Sequence, residues 1–312
     1  MRLLITGASG YIGTSVIRFL KDKVEHLGVI CRSERSINIV NDILDGSEFT
    51  AYQADLIENI SELPVEKYDF LIHLAAANDI ESKDITSALL GTVLSTKNIL
   101  ELCKSKGIKN VIYFSTFQVI GNVDGELDED TVVPKNDYAI THKFSEDYVE
   151  MYNRMSGLDY LIMRPTNIYG APIHKDIERW SLVPNCFCKE VFENQKITLL
   201  SSGKQSRDFL NLLDLGPLLL KTVEAFGELK NKTVNVSSGN KFTIVEIAEI
   251  VKSIYEERYK TKCKIEVRSE HPKEENEFNI SRKEIQKFNY TFSDKNSITN
   301  EINKIFNLLE KS

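Results

Sequence analysis

The stretch Arg2-Leu3-Leu4-Ile5-Thr6-Gly7-Ala8-Ser9-Gly10-Tyr11-Ile12-Gly13 decides the reading of this chain. An apolar run of strand length gives way to three glycines at a spacing of three, and a helix-length segment follows. That context matters, because a glycine pattern by itself is weak. Glycine permits the tight turn, lets backbone N–H groups approach a pyrophosphate, and lets helix pack closely on strand. The helix N-terminus adds a partial positive charge. Gly7, Ser9, Gly10, Tyr11, Ile12 and Gly13 are therefore candidate dinucleotide-binding residues, and a glycine-rich turn without a ligand is the plain alternative.

Outward from that turn, strand and helix alternate. Leu27 to Cys31, Asp69 to Leu74, Asn110 to Ser115 and Tyr160 to Met163 are short apolar runs, as expected of strands buried on both faces of a parallel sheet. Leu89, Val93, Thr96, Leu100 and Cys103 recur at helical spacings, and Lys104, Lys106 and Gly107 close that segment. This predicts an α/β fold: a doubly wound, parallel Rossmann sheet with helices on both faces. After Pro165 the rhythm changes. Ile197 to Leu200 and Thr233 to Val236 read as strands of a smaller C-terminal α/β lobe, and Thr243 to Tyr255 as an amphipathic helix capped by Thr243 ahead of Glu246. The expected division is 1–165 for a dinucleotide and 166–312 for a substrate, with the chain free to cross back between lobes. The polar stretch Ser269 to Asn279 is expected to be a loop.

Composition excludes several classes. The net charge of −7 argues against a general grip on nucleic acid or anionic membrane, which needs clustered positive charge. No apolar run approaches the roughly 18 residues of a membrane span, and the N-terminal residues carry no signal pattern, so a cytoplasmic location is expected. The five cysteines are odd in number and lack paired spacing, which predicts reduced thiols. No metal is expected: the acidic run Asp124 to Asp130 reads as a solvated loop, and no histidine has a partner at ligand spacing.

About twenty residues past the glycines, an acid at the end of the second strand would bind the ribose hydroxyls of NAD. Here Cys31-Arg32-Ser33-Glu34-Arg35 stands at that point. Arg32 and Arg35, with Ser33 between them, suit a ribose 2′-phosphate and favour NADP; NAD remains possible with Glu34 in the acid's place. Asp55 and Leu56 are expected to flank the adenine.

The combination of the glycine turn with His73-Leu74-Ala75-Ala76, Ser115-Thr116, Tyr138-Ala139-Ile140-Thr141-His142 and Arg164-Pro165-Thr166-Asn167-Ile168-Tyr169-Gly170 resembles the extended short-chain dehydrogenase/reductases that act on nucleotide sugars. Gln205-Ser206-Arg207-Asp208-Phe209 and Asn235-Val236-Ser237-Ser238-Gly239 look like the substrate-lobe signatures of that family. The resemblance implies a tyrosine that moves a proton while hydride moves between nicotinamide and a sugar carbon. It assigns Tyr138 and Thr116 as catalytic, Leu74, Ala75, Ala76, Pro165 and Asn167 to the cofactor, and Ser115, Asn167 and Arg207 to the substrate. A homodimer built on paired helices is implied as well.

The sequence departs from the family pattern at three places. The family's Tyr-x-x-x-Lys reads Tyr138-x-x-x-His142, with Lys143 one residue late and turned away from the stripe that Tyr138, His142, Ser145, Val149 and Tyr152 share. His142 is the third catalytic candidate; with a reference pKa of about 6.5 it is expected to make tyrosine activation weaker or more pH-dependent. The alternative is a core histidine in a protein that binds NADP without catalysis. Ala88 stands where the family usually has asparagine. His271-Pro272 replaces an expected phosphate-binding arginine, which makes His271 a substrate candidate, with Arg282 and Lys273 nearby in sequence. Phe117-Gln118 after Thr116 lacks the Asp-Glu of the family's dehydratases. The expected reaction is NADPH-dependent reduction of a keto nucleotide sugar, most simply at C4 of a 4-keto-6-deoxy sugar, in surface polysaccharide precursor synthesis. An epimerase on the same substrates is the alternative.

Overall fold

Seven parallel strands form the central sheet, and their order follows from a chain that starts in the middle and winds outward twice. The computed structural model describes residues 1–121, 124–268 and 276–311. In chain order the strands are β1 (Arg2–Thr6), β2 (His26–Cys31), β3 (Phe49–Gln53), β4 (Phe70–His73), β5 (Asn110–Phe114), β6 (Gly125–Leu127), β7 (Asp159–Pro165) and β8 (Asn167–Tyr169). Then come β9 (Lys196–Leu199), β10 (Ser206–Asn211), β11 (Lys232–Val236), β12 (Lys241–Thr243), β13 (Lys264–Val267) and β14 (Phe278–Ile280). The helices are α1 (Tyr11–Leu20), α2 (Glu34–Leu44), α3 (Ile85–Ala88), α4 (Ser95–Lys106), α5 (Asp137–Ser156), α6 (Val183–Asn194), α7 (Leu215–Glu224), α8 (Phe226–Leu229), α9 (Ile244–Tyr259) and α10 (Ser297–Leu309).

The sheet runs β11-β7-β5-β4-β1-β2-β3, with every neighbouring pair parallel. Alternate residues of β1 serve opposite faces: Leu3 and Ile5 pack with α1 and α7, whereas Leu4 packs with α4 and α5. A third core joins α6, α9 and α10 to β9 and β10 in the smaller lobe. The winding reverses between β1 and β4, and a ligand crevice belongs at the carboxyl ends of those strands. No described helix is long and apolar enough to cross a membrane.

Thr233 to Val236 is not a strand of the small lobe. As β11 it pairs with β7 at the edge of the main sheet, where Val234 and Val236 are buried in the same core as α7. The chain thus crosses back into the first lobe. An apolar run has the same local pattern in either sheet, and its partner is chosen by tertiary packing. β3 escaped delimitation because, at the other edge, only Tyr52 of its five residues is buried. Within the acidic run, Gly125 to Leu127 form β6, and Phe278 and Asn279 of the expected loop pair with it in β14. The helix with Leu89 starts with a π-helical turn over Leu89–Leu94, and Gly107 ends α4 in the left-handed region as expected. The Thr243 cap is observed with its reciprocal Glu246 contact. All five cysteines are free, Cys186 exposed and the others buried.

Candidate active site

A cavity of about 940 Å³ opens at the carboxyl ends of β1, β4 and β5 and extends to the small lobe. Its floor is the glycine turn. Gly7 has φ +69, and a Cβ there would lie 2.7 Å from the Ala75 backbone nitrogen; one at Gly13 would lie 2.0 Å from the Gly7 carbonyl oxygen. A side chain at either site would push apart the crossing that brings α1 onto the strand ends. The N-terminus of α1 is capped by Gly10 with no side-chain acceptor and has no acid in its first turn. Its first-turn residues line the cavity, and their N–H groups are the donor set a pyrophosphate needs. The N-terminus of α2, by contrast, is already served by the Ser33 hydroxyl, and Arg32 and Arg35 beside it are exposed. Those residues, with Asp55 and Leu56 after β3, lie outside the cavity wall at the ends of the next strands.

His73 locks the second wall. The Thr96 hydroxyl gives its proton to the Thr92 carbonyl at 2.6 Å, so it accepts from His73 Nε2 at 3.1 Å. Nδ1 then accepts from Thr6 Oγ1 at 2.7 Å, and Thr6 accepts the Ala75 N–H at 3.3 Å. This chain fixes the tautomer and sets Leu74, Ala75 and Ala76 against the glycine turn.

The remaining wall comes from α5 and the turn after β5. Thr116 opens a short 3₁₀ turn and accepts the Gln118 N–H at 3.2 Å, which leaves its own proton to donate. Tyr138 is half-buried in the first turn of α5 and lines the same cavity. Enclosure raises its pKa above the usual phenol value; the Thr116 hydroxyl and the Arg179 charge pull the other way, and Asp79 adds to the rise. The His142 ring meets the Tyr138 ring edge-on, with centroids 4.7 Å apart. His142 is 2% exposed, and burial drives its pKa down to about 3. It is therefore neutral, because burial disfavours the charged imidazole. Its Nδ1 pairs with the Tyr113 hydroxyl at 2.7 Å, while Nε2 has no partner. With Tyr113 donating, Nε2 carries the hydrogen and is an open donor at the cavity wall. Lys143 turns outward to Asp147, at 2.5 Å.

Two buried hubs brace these walls, the first within the sheet lobe and the second at the small lobe. Arg164 makes a two-pronged contact with Glu146, at 2.8 and 2.7 Å, and the Ser115 hydroxyl donates to the same carboxylate at 2.6 Å. Ser115 lines the cavity, but its hydroxyl is committed to that pair. Asp208 accepts from Thr166 (2.6 Å), Ser237 (3.0 Å) and the Gly239 N–H (2.8 Å), and its carbonyl accepts the Asn167 amide at 2.9 Å. The two substrate-lobe signatures thus meet at one carboxylate. Arg207 lines the cavity and donates to the Ser206 carbonyl at 2.8 Å. His271 and Lys273 lie outside the described residues.

Gly7, Gly10, Tyr11, Ile12, Gly13, Leu74, Ala76, Ser115, Thr116, Tyr138, His142, Pro165, Asn167 and Arg207 come together in this one cavity; Ser9 and Ala75 are not among the residues that line it. Sequence reasoning missed Asp79, Arg179 and Asn185. The Gly170 carbonyl accepts both the Tyr11 hydroxyl (2.8 Å) and the Asn185 amide (3.2 Å), a bridge between lobes that no local pattern announces. Among the described residues, no group of three or more His, Cys, Asp and Glu is placed to hold a metal.

Residues 3–237 match the NAD dependent epimerase/dehydratase family. The chain belongs to that family. It is 28% identical over 261 residues to a putative UDP-glucose 4-epimerase of Methanocaldococcus jannaschii, covering 80% of this chain and 81% of the relative. It is 28% identical over 270 residues to the UDP-glucuronate 4-epimerase of Thermodesulfobacterium geofontis, covering 80% of each. The fold is shared with the UDP-glucuronic acid 4-epimerase of Bacillus cereus, a structure solved with NAD, at a TM-score of 0.84 and 20% identity over 100% of this chain and 97% of the other. The family member described here is accordingly an enzyme of the nucleotide-sugar epimerase and dehydratase type.

Proposed function

We propose that this enzyme reduces a keto group of a nucleotide sugar, at C4 of a 4-keto-6-deoxy sugar, with NADPH as the preferred reductant and NADH as the lesser one. The observation that carries this reading is a phenol kept protonated by enclosure, Tyr138, beside the Thr116 hydroxyl, which retains its own proton to donate. A protonated phenol is ready to act as an acid, which is what reduction of a carbonyl requires. The α1 turn would hold the dinucleotide, which in its reduced form would supply the hydride. Tyr138 gives its proton to the carbonyl oxygen as the carbon gains hydride, Thr116 donates a hydrogen bond to that oxygen, and water later restores the phenol. The open Nε2–H of His142 suits a ribose hydroxyl, and Arg207 suits the substrate diphosphate. Arg32, with Ser33 and Arg35, supports a 2′-phosphate over a hydroxyl at the adenine end.

The relatives' names favour a second reading, epimerisation at C4 with a retained dinucleotide. Mixing the protein with NADPH or NADH and a panel of 4-keto nucleotide sugars, while absorbance reports the reduced dinucleotide, separates the two. Stoichiometric NADPH oxidation with one sugar is the expected result; interconversion of sugars without net oxidation sinks the reductase reading. Equal use of NADH removes the role given to Arg32. Leu89, Leu90 and Phe144, exposed on neighbouring helical turns, support a homodimer, which light scattering at twice the chain mass checks.

A further inference from the structure

The α5 stripe brings a neutral imidazole to the place where the family has a lysine, and a neutral imidazole can face the cavity in two ways. One ring nitrogen donates and the other accepts, and the ring's partner decides which does which. A lysine only donates. His142 can replace that donor only if Nε2, the nitrogen without a protein partner, carries the hydrogen.

The deciding partner is Tyr113, a buried residue of β5. Its hydroxyl oxygen lies 2.7 Å from His142 Nδ1, and the two rings lie with centroids 6.0 Å apart at an interplanar angle of 30°. A phenol is the better donor of the two groups, and an imidazole nitrogen, with a reference pKa of about 6.5, is by far the better base. Two other acceptors stand near the phenol, the hydroxyl oxygens of Thr96 and Ser145. The first already accepts from His73 Nε2, and both are weaker bases than an imidazole, so the phenol hydrogen goes to Nδ1. His73, on the other side of the Tyr113 ring, has both nitrogens bonded and takes nothing from it. The one hydrogen of the His142 ring therefore stands on Nε2, buried and unpaired. An unpaired buried N–H is costly, and it is accounted for where a ligand brings the acceptor.

We propose that Tyr113 is a positioning residue for the dinucleotide: by donating to His142 Nδ1 it fixes the tautomer and the ring plane that present Nε2–H to a hydroxyl of the nicotinamide ribose. Tyr113 acts through His142 alone, since it is not among the residues that line the cavity. A phenylalanine in its place would leave Nδ1 buried without a hydrogen, and the ring would be free to move its own hydrogen there and turn a lone pair to the ribose. A lysine at 142 would need no such partner, because an ammonium donates in every orientation. The inference rests on the reading of His142 as a ribose contact, and it does not depend on which reaction the site performs.

NMR of protein labelled with 15N at histidine reads the tautomer without sugar or turnover, and His142→Leu identifies the signals. In the native protein His142 should show a protonated Nε2 and a bare Nδ1, and saturating NADPH should shift Nε2 and its hydrogen more than Nδ1. Tyr113→Phe, which removes only the hydroxyl, should populate both tautomers and weaken NADPH binding about five- to tenfold, as loss of one well-placed hydrogen bond does. A residue that merely filled the core would change stability and leave the tautomer alone. In the His142→Lys background, Tyr113→Phe should change NADPH binding by less than about twofold. A native ring protonated at Nδ1 overturns the proposal, as does an Nε2 that NADPH leaves unmoved; both are read on the native protein, should Tyr113→Phe not fold. A folded Tyr113→Phe protein with native tautomer and native binding overturns it too. A failed search for a keto-sugar substrate, with these results as stated, would count against the reductase reading alone.

Discussion

Two histidines in this molecule stand in one row of rings and are used in opposite ways. His73 and His142 flank Tyr113, with ring centroids 5.6 and 6.0 Å from it, and both are nearly inaccessible. Burial drives both to a pKa of about 3. Yet His73 has both nitrogens bonded, to Thr6 and Thr96, whereas His142 has one bonded and one open at the cavity. Residue type and burial do not separate a structural imidazole from one that awaits a ligand; the hydrogen-bond inventory does.

The sharpest way to break that comparison is at the residue His142 packs against. Tyr138→Phe keeps the ring contact and removes the proton, so turnover should fall by about a hundredfold or more while dinucleotide binding stays within about twofold. Unchanged turnover would leave the cavity side of the row no more chemical than the His73 side. Next in size is His73→Leu, which strips Thr6 of its acceptor and Thr96 of its donor; unfolding in denaturant should show a loss of about 2–3 kcal/mol. His142→Leu strips only Tyr113 and should cost about 1 kcal/mol. Equal losses would mean that His142 is as structural as its counterpart.

Acid treats the two alike. Each folded pKa lies below the unfolded value of about 6.5, so the unfolded chain binds more protons between about pH 6.5 and pH 3, and stability falls as pH drops through that window. From pH 6.5 to pH 5 the loss should approach about 2 kcal/mol for each histidine, at about 1.4 kcal/mol per pH unit. Thermal unfolding of His73→Leu and His142→Leu across that range should each show a shallower slope than the native protein. A native slope in both would show that these imidazoles titrate normally.

Much of the site was legible because its spacing is local. The glycine turn sits within one strand-to-helix junction, Tyr138 and His142 share one helical face, and Thr116 follows its strand directly. What was not legible depends on distant pairing. Thr233 to Val236 could not declare that its partner is β7. Asp208 gathers Thr166, Ser237 and Gly239 from three segments, and nothing adjacent to it in sequence foretells that. Arg179 lies in an irregular connection where no periodicity applies, and only the closure of the two lobes brings it to Asp79. The neutrality of His142 required its burial to be known, which the stripe pattern implied for the backbone face but not for the charge.

The central claim, that the cavity carries out a net reduction at a sugar carbon, is tested most directly by following the label from NADPH deuterated at the transferable position. Incubated with the reactive 4-keto nucleotide sugar, the protein should place one deuterium on C4 of the product for each NADPH consumed. Sugars interconverted with no deuterium gained and no NADPH consumed would contradict the account.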